Sequence, residues 1–142
     1  MIKIENPQEK HIQDIYGLAG CEAEEFEGKI VSFPTPESIE EIISVGTTDI
    51  QFSKVLTFND IVVGYFHAVL STKLPVAMIE QWYVHKNFRM NRKSLQVLKE
   101  FELWAKQRDV KTCILSGGYG LDKIKASRLG YTTEITLFAK EI

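Results

Sequence analysis

Val76-Ala-Met-Ile-Glu-Gln-Trp-Tyr-Val84, then His85-Lys-Asn-Phe-Arg-Met-Asn-Arg-Lys93, then Ser94-Leu-Gln-Val-Leu-Lys-Glu-Phe-Glu-Leu-Trp-Ala105 is the stretch on which the reading of this chain turns. The first part is an apolar, strand-like run and the second a basic turn. In the third, Leu95, Leu98, Phe101 and Ala105, with Val97 and Trp104 beside them, recur at the spacing of one buried helical face. A strand, a tight turn and a helix opened by Ser94 make a candidate anion site, because the first N–H groups of a helix lack partners within it and its dipole is positive there. Arg89, Arg92 and Lys93 raise that potential further.

From Val84 to Ala105 the chain lies without a gap on the acyl-CoA-binding segment of the GCN5-related N-acetyltransferase (GNAT) superfamily, which it resembles. That segment is a strand ending in Val, then Arg-x-x-Gly-x-Gly or Ala, then a helix. Arg89 takes the Arg position, while Arg92 and Ser94 stand where the two glycines belong. The resemblance implies an α/β, GNAT-like fold with a mixed, mostly antiparallel sheet flanked by helices. It implies acetyl-CoA as co-substrate, with Trp82, Tyr83 and Val84 as the pantetheine edge and Arg89, Met90, Asn91, Arg92, Lys93 and Ser94 as the pyrophosphate turn. The activity it implies is N-acetyl transfer to an amine acceptor, either a small molecule or a protein lysine or N-terminus. Leu129-Gly130-Tyr131 fits the family's ending of the last helix, but Ala126 stands where a Tyr commonly protonates the leaving sulfur.

The chain has 142 residues, enough for one domain over 1–142 with a sizeable core, and 44% hydrophobic with 25% charged residues is the balance of a globular protein. A formal net charge of −2 argues against a general nucleic-acid coat, and a nucleic-acid reading rests on the basic turn alone. Cys21 and Cys113 fit no C-x-x-C or zinc spacing, and His11, His67 and His85 form no metal-ligand pattern, so no metal is expected. A reducing, cytoplasmic setting is the simplest reading. No apolar run nears the roughly 18 residues of a membrane span, and the N-terminus has no signal-peptide shape. A homodimer is left open.

Outward from the central stretch, the order reads β-α-α-β-β-β-α-β-α-β, which matches the resembled fold. Met1 to Glu5 alternates as a strand. Asn6 as N-cap, Pro7 and Glu9 read as a helix start, Ile12, Ile15, Tyr16 and Ala19 as its face, and Gly20 as its stop. A second helix starts at Thr35-Pro36-Glu37, carries Ile39, Ile42 and Ile43, and ends at Gly46. Gln51 to Phe58 and Ile61 to Leu70 form a hairpin about Asn59-Asp60, in which Gly64 marks a bulge or a packing gap. Val110 to Ser116 reads as a strand, Asp122 to Leu129 as a short helix, and Tyr131 to Ala139 as the last strand.

Glu80 is the candidate general base: mid-strand among apolar neighbours, desolvation would raise its pKa if it faces a cleft, whereas strand alternation equally puts it in solvent. Tyr119, in the glycine loop, is the candidate for the missing acid, against an ordinary packed or exposed loop tyrosine. His67 and His85 have the intrinsic pKa for proton transfer, but a hydrogen-bonded strand histidine and a solvated turn histidine are the plainer readings. The acidic run Glu22 to Glu27 reads as a solvated helix end or as an attractor for a cationic amine. The alternative to an enzyme is a catalytically silent relative serving as an interaction or bacteriophage virion-associated module. Both replaced glycines and Ala126 favour it.

Overall fold

The computed structural model describes residues 1–26, 36–89, 91–115, 123–133 and 140. Strand β1 (Ile2–Glu5) is followed by helices α1 (Ile12–Glu25) and α2 (Pro36–Val45). Strands β2 (Gln51–Phe58), β3 (Ile61–Leu70) and β4 (Val76–Val84) lead into α3 (Arg92–Lys106), β5 (Thr112–Leu115) and α4 (Lys123–Arg128). The sheet order is β1-β2-β3-β4-β5, antiparallel except for the β4–β5 pair, which α3 connects as a crossover. The β2–β3 turn is the expected two-residue one, with Asn59 at φ 50° and Asp60 at φ 65°.

Two irregularities shape the sheet. On β3, Leu56 pairs with Gly64 but Thr57 pairs with Val62, so Val63 is an extra residue. Beside it, a Cβ on Gly64 would lie 3.1 Å from Leu56 Cδ1, the Tyr83 carbonyl oxygen and Val84 Cγ2, so a larger residue would require these neighbours to shift by a few tenths of an ångström. On β4, His67 pairs with Gln81 and Ala68 with Ile79, which leaves Glu80 as the extra residue.

The core divides by sheet face. Under α3, Phe52, Phe66, Phe101 and Trp104 interlock, with Phe101 centred 5.8 Å from Phe52 and 5.4 Å from Phe66. Under α1 and α2, Ile15, Leu18, Ala19, Ile39 and Ile43 meet Val55, Val62, Tyr65 and Tyr83.

Several local expectations are corrected. Gly20 does not stop α1, which continues to Glu25 because burial of Ala19, Glu22 and Phe26 on the sheet outweighs the roughly 1 kcal/mol that an interior glycine costs. Asn6 is no N-cap. Its side chain accepts from Lys54 Nζ at 2.5 Å, and a 3₁₀ turn (Glu9–His11) begins instead at Gln8, whose N–H donates to His11 Nδ1 at 3.0 Å. The α3 helix opens at Arg92 behind the N-cap Asn91, so its buried face runs Ser94, Val97, Leu98, Phe101, Trp104 and Ala105, and Leu95 lies 48% exposed. The β5 strand begins at Thr112 rather than Val110, with residue 116 outside the described residues, and Gly130, at φ +89°, closes α4 with Tyr131 N–H on the Ala126 carbonyl at 3.0 Å. Of the expected last strand, residues 131–133 are irregular and 134–139 lie outside the described residues.

The corrected stripe gives a prediction. Phe101→Ala should cost about 3 to 5 kcal/mol of unfolding free energy, and Leu95→Ala less than about 0.5 kcal/mol, read by urea denaturation. Equal losses at the two positions would place the wrong face on the sheet.

Candidate functional site

The site begins at the extra residue of β4. Below it, Ala77 and Ile79 point to the α3 face, and above it Trp82 and Val84 do, so the alternation shifts by one at Glu80. The pairs with β5 run from Val76–Thr112 to Ile79–Leu115, and from Glu80 to Val84 the strand has no partner on that edge among the described residues. The pantetheine edge expected at Trp82 to Val84 lies on this part of β4. Trp82 is half-buried against Phe66 at 5.6 Å, Val84 is buried in the same core, and Tyr83 turns to the opposite face.

Glu80 keeps 41% of its side chain exposed, and partial burial raises its pKa. Its Oε2 lies 3.9 Å from Nε2 of His67, whose Nδ1 is 2.7 Å from Ser53 Oγ. His67 is 1% exposed, and burial lowers its pKa to about 4, so at neutral pH the contact with Glu80 is not an ion pair. Of the two readings open for His67, the structure shows the hydrogen-bonded strand histidine. Its place beside Glu80 has no sequence signal, because it depends on the cross-strand register of β2, β3 and β4.

Over the same face, the acidic end of α1 is solvated in part: Ala23, Glu24 and Glu25 are exposed and Glu22 and Phe26 buried. Glu22 is 1% exposed and accepts from the Tyr65 hydroxyl, and burial raises its pKa against the lowering effect of that bond. Glu25 takes the Arg89 guanidinium through both carboxylate oxygens, and among the described glutamates of the run Glu24 and Glu25 match the solvated reading whereas Glu22 does not. The i, i+3 spacing of Glu22 and Glu25, one helical face, was the available signal for the pair. Arg89 also donates through Nε to the Val84 carbonyl at 2.8 Å and covers the Tyr83 ring at 5.4 Å. Burial and the neighbouring Glu25 push Tyr83 up to about 12.

The turn itself is capped from within. Asn91 Oδ1 accepts from Lys93 N–H at 2.8 Å, and the Asn91 carbonyl from Ser94 N–H at 3.2 Å. Arg92 is exposed, while Ser94 is buried and its Oγ has no hydrogen-bond partner among the described residues. His85 accepts from Asn87 N–H through Nδ1 at 3.3 Å and starts the 3₁₀ turn Lys86–Phe88. Met90 and Tyr119 lie outside the described residues. An anion at this turn would meet the exposed Arg92 side chain, with Arg89 engaged by Glu25 and the Ser94 hydroxyl buried. Among the described residues, no three His, Cys, Asp or Glu side chains gather as metal ligands, and no helix is long and apolar enough to cross a membrane.

No family model and no curated protein matches the sequence. Solved structures do match in shape. An acetyltransferase from Trypanosoma brucei is similar over 100% of both chains, with a TM-score of 0.74 at 13% identity. Glucosamine-6-phosphate N-acetyltransferase from Arabidopsis thaliana covers 99% of this chain and 98% of its own, with a TM-score of 0.71 at 17% identity. An aminoglycoside acetyltransferase in complex with a CoA-S-monomethyl-acetylneamine bisubstrate analogue covers 100% and 99%, with a TM-score of 0.66 at 16% identity. What is shared at these identities is the fold.

The buried imidazole sets a pH dependence. Its folded pKa of about 4 lies below the ordinary 6.5, so between those values the unfolded chain binds a proton that the folded chain does not. The contribution is complete above pH 6.5 and is lost as pH falls through about 4, with roughly 3 kcal/mol at stake. Glu22 and Glu80, raised from 4.5, act in the opposite sense, reducing stability as pH rises through their titration. In urea denaturation across this range, His67→Gln should remove the His67 part of the slope. The same slope in both proteins would rule out a neutral buried His67.

Proposed function

From a chain that has the fold of the GCN5-related N-acetyltransferases, we propose a protein that binds acetyl-CoA and transfers the acetyl group to an amine. The observation that carries this reading is Glu80: the extra residue in β4 turns a half-exposed carboxylate of raised pKa out of the ladder with β3, next to Ile79, which is the last β4 residue paired with β5 among the described residues. A carboxylate there can take a proton from an ammonium group. The neutral amine then attacks the thioester carbonyl carbon, the C–N bond forms as the C–S bond breaks, and the nitrogen loses a further proton to solvent or base. The thiolate is a fair leaving group by itself, since a thiol has a pKa of about 8.5. Tyr119 is the proposed donor of its proton, with Ala126 unable to serve.

Acetyl-CoA fits the residues in a particular way. Positive charges in the first turn of α3 oppose the helix dipole, costing a few tenths of a kcal/mol each unless an anion meets them. Arg92 and Lys93 supply that meeting place by side chain, where the resembled family uses glycine backbone. The acceptor is a primary amine on a small polar molecule or on a protein. The solved relatives by fold include enzymes named for aminoglycosides and for glucosamine-6-phosphate, both amines.

One observation favours the second reading, a catalytically silent interaction module. Arg89 is tied to Glu25 and to the Val84 carbonyl, and Asn91 already caps the turn, so phosphate binding must compete with internal bonds.

Calorimetry and thermal shift with acetyl-CoA separate the two. A ligand that binds only the folded state raises Tm by mass action, by about 2.7 kcal/mol of stability at a hundredfold excess over Kd. No heat and no shift at millimolar acetyl-CoA would leave the silent module standing, and oligonucleotide binding without CoA binding would favour the nucleic-acid reading. If acetyl transfer to amines is found, Glu80→Gln should lower kcat by roughly 10²- to 10⁴-fold with CoA affinity unchanged. Arg92→Gly should make CoA binding less sensitive to salt, since exposed side-chain charge is screened over about 8 Å.

A further inference from the structure

The Ser53, His67 and Glu80 side chains form one line from the sheet interior to the bulge, drawn from three adjacent strands. Ser53 is wholly buried and pinned. Its N–H donates to Thr47 Oγ1 at 3.1 Å, and its carbonyl accepts from the same hydroxyl at 3.0 Å. The Ser53 Oγ contact is the imidazole, at 2.7 Å. Two tautomers of a neutral His67 can fill this geometry, and bond satisfaction separates them. If Nδ1 carried the proton, the Ser53 hydroxyl hydrogen would need another acceptor, and the bare Nε2 lone pair would face the Glu80 carboxylate, acceptor against acceptor. If Ser53 donates to Nδ1, the hydroxyl hydrogen is placed and Nε2–H, a donor, faces the Glu80 carboxylate, an acceptor, at 3.9 Å.

Resting on the reading of Glu80 as the base, we infer that His67 is its positioning residue: anchored by Ser53, it offers Nε2–H to one carboxylate oxygen and leaves the other for the acceptor amine. The 3.9 Å separation is about 1 Å longer than a hydrogen bond. A side-chain torsion of the half-exposed Glu80, or one bridging water, closes it. The bulge makes this support necessary, because Glu80 sits on the one β4 residue in this stretch that lacks a cross-strand partner on β3. The line resembles a hydrolytic serine–histidine–carboxylate triad in composition only. Ser53 is 0% exposed and cannot reach a substrate, so the chemistry lies at the carboxylate end. Ile79 turns to the α3 face, whereas Gln81, paired with His67 and 7% exposed, borders the line and has no hydrogen-bond partner for its Oε1 among the described residues.

The test starts with the unmodified protein. Long-range ¹H–¹⁵N correlation of the three imidazoles at neutral pH should show His67 protonated at Nε2 with a bare, hydrogen-bonded Nδ1. In Glu80→Gln the Nε2–H resonance should move upfield as the carboxylate acceptor is lost. A proton on Nδ1, or an Nε2–H resonance unmoved by Glu80→Gln, overturns the inference whether or not the protein is an enzyme. In steady-state acetyl transfer, His67→Leu should lower kcat by roughly ten- to a hundredfold with little change in KM for acetyl-CoA. His67→Gln, whose amide reaches where Nε2–H lay, should restore a large part of it. Wild-type kcat in folded His67→Leu, or no recovery with Gln, overturns the inference as well. Absence of transfer by the wild type bears on the enzyme reading instead, and the tautomer still decides this one.

Discussion

The contact of Phe101 with Phe52 and Phe66 holds the molecule in register. Those rings, joined by Trp104, set one face of α3 on the centre of the sheet, and the helix begins where the basic turn ends. Burying two or three aromatic side chains at one place brings several kcal/mol to a fold whose net stability is of order 5 to 15 kcal/mol. Rotating the helix to bury Leu95 instead would draw Ser94 and the cap at Asn91 out of position. The basic turn and the hydrophobic core are thus held together by one helix.

The second constraint is the extra residue in β4. A strand must alternate its side chains, so one unpaired residue moves everything beyond it to the other face. Here that sets Ile79, Trp82 and Val84 on the α3 side and leaves Glu80 between them with a carboxylate outside the ladder. The opposite face collects the polar groups: the Ser53–His67 pair, the Tyr65–Glu22 bond and the Tyr83–Arg89–Glu25 cluster. In these groupings the polar side chains pair with one another, which offsets the cost of burying them, whereas Gln81 Oε1 on this face has no hydrogen-bond partner among the described residues.

The Arg89–Glu25 bond ties the turn after β4 to the end of α1, and so joins the side expected to hold pyrophosphate to the side expected to hold the acceptor. It is partly exposed, with 40% and 25% of the two side chains accessible, so its worth is that of a surface pair, about 1 kcal/mol or less. A doubly charged pyrophosphate is a stronger partner for a guanidinium than one carboxylate, so the bond holds the turn without closing it to a ligand.

Much of this was legible in the residues. The hairpin at Asn59-Asp60, the strand-turn-helix from Val76, the second helix ending at Gly46 and the order of elements follow from local chemistry: backbone angles that a few residue types tolerate, and apolar spacing that matches one period. Even the bulge left a trace, since Ala77 and Ile79 are spaced against Trp82 and Val84 by an odd step. Other features were decided by packing between distant segments. Gly20 lies inside a helix because the sheet beneath α1 holds it, Leu95 is exposed because Phe101 and Trp104 turn another face of α3 onto the sheet, and Arg89 meets Glu25 across 64 positions of chain. The alignment of Ser53, His67 and Glu80 belongs to that second kind. Sequence alone determined the elements, since each depends on neighbours in the chain; the tertiary structure decided which polar side chains share a face, because that rests on strand register, and a one-residue shift in register reverses it.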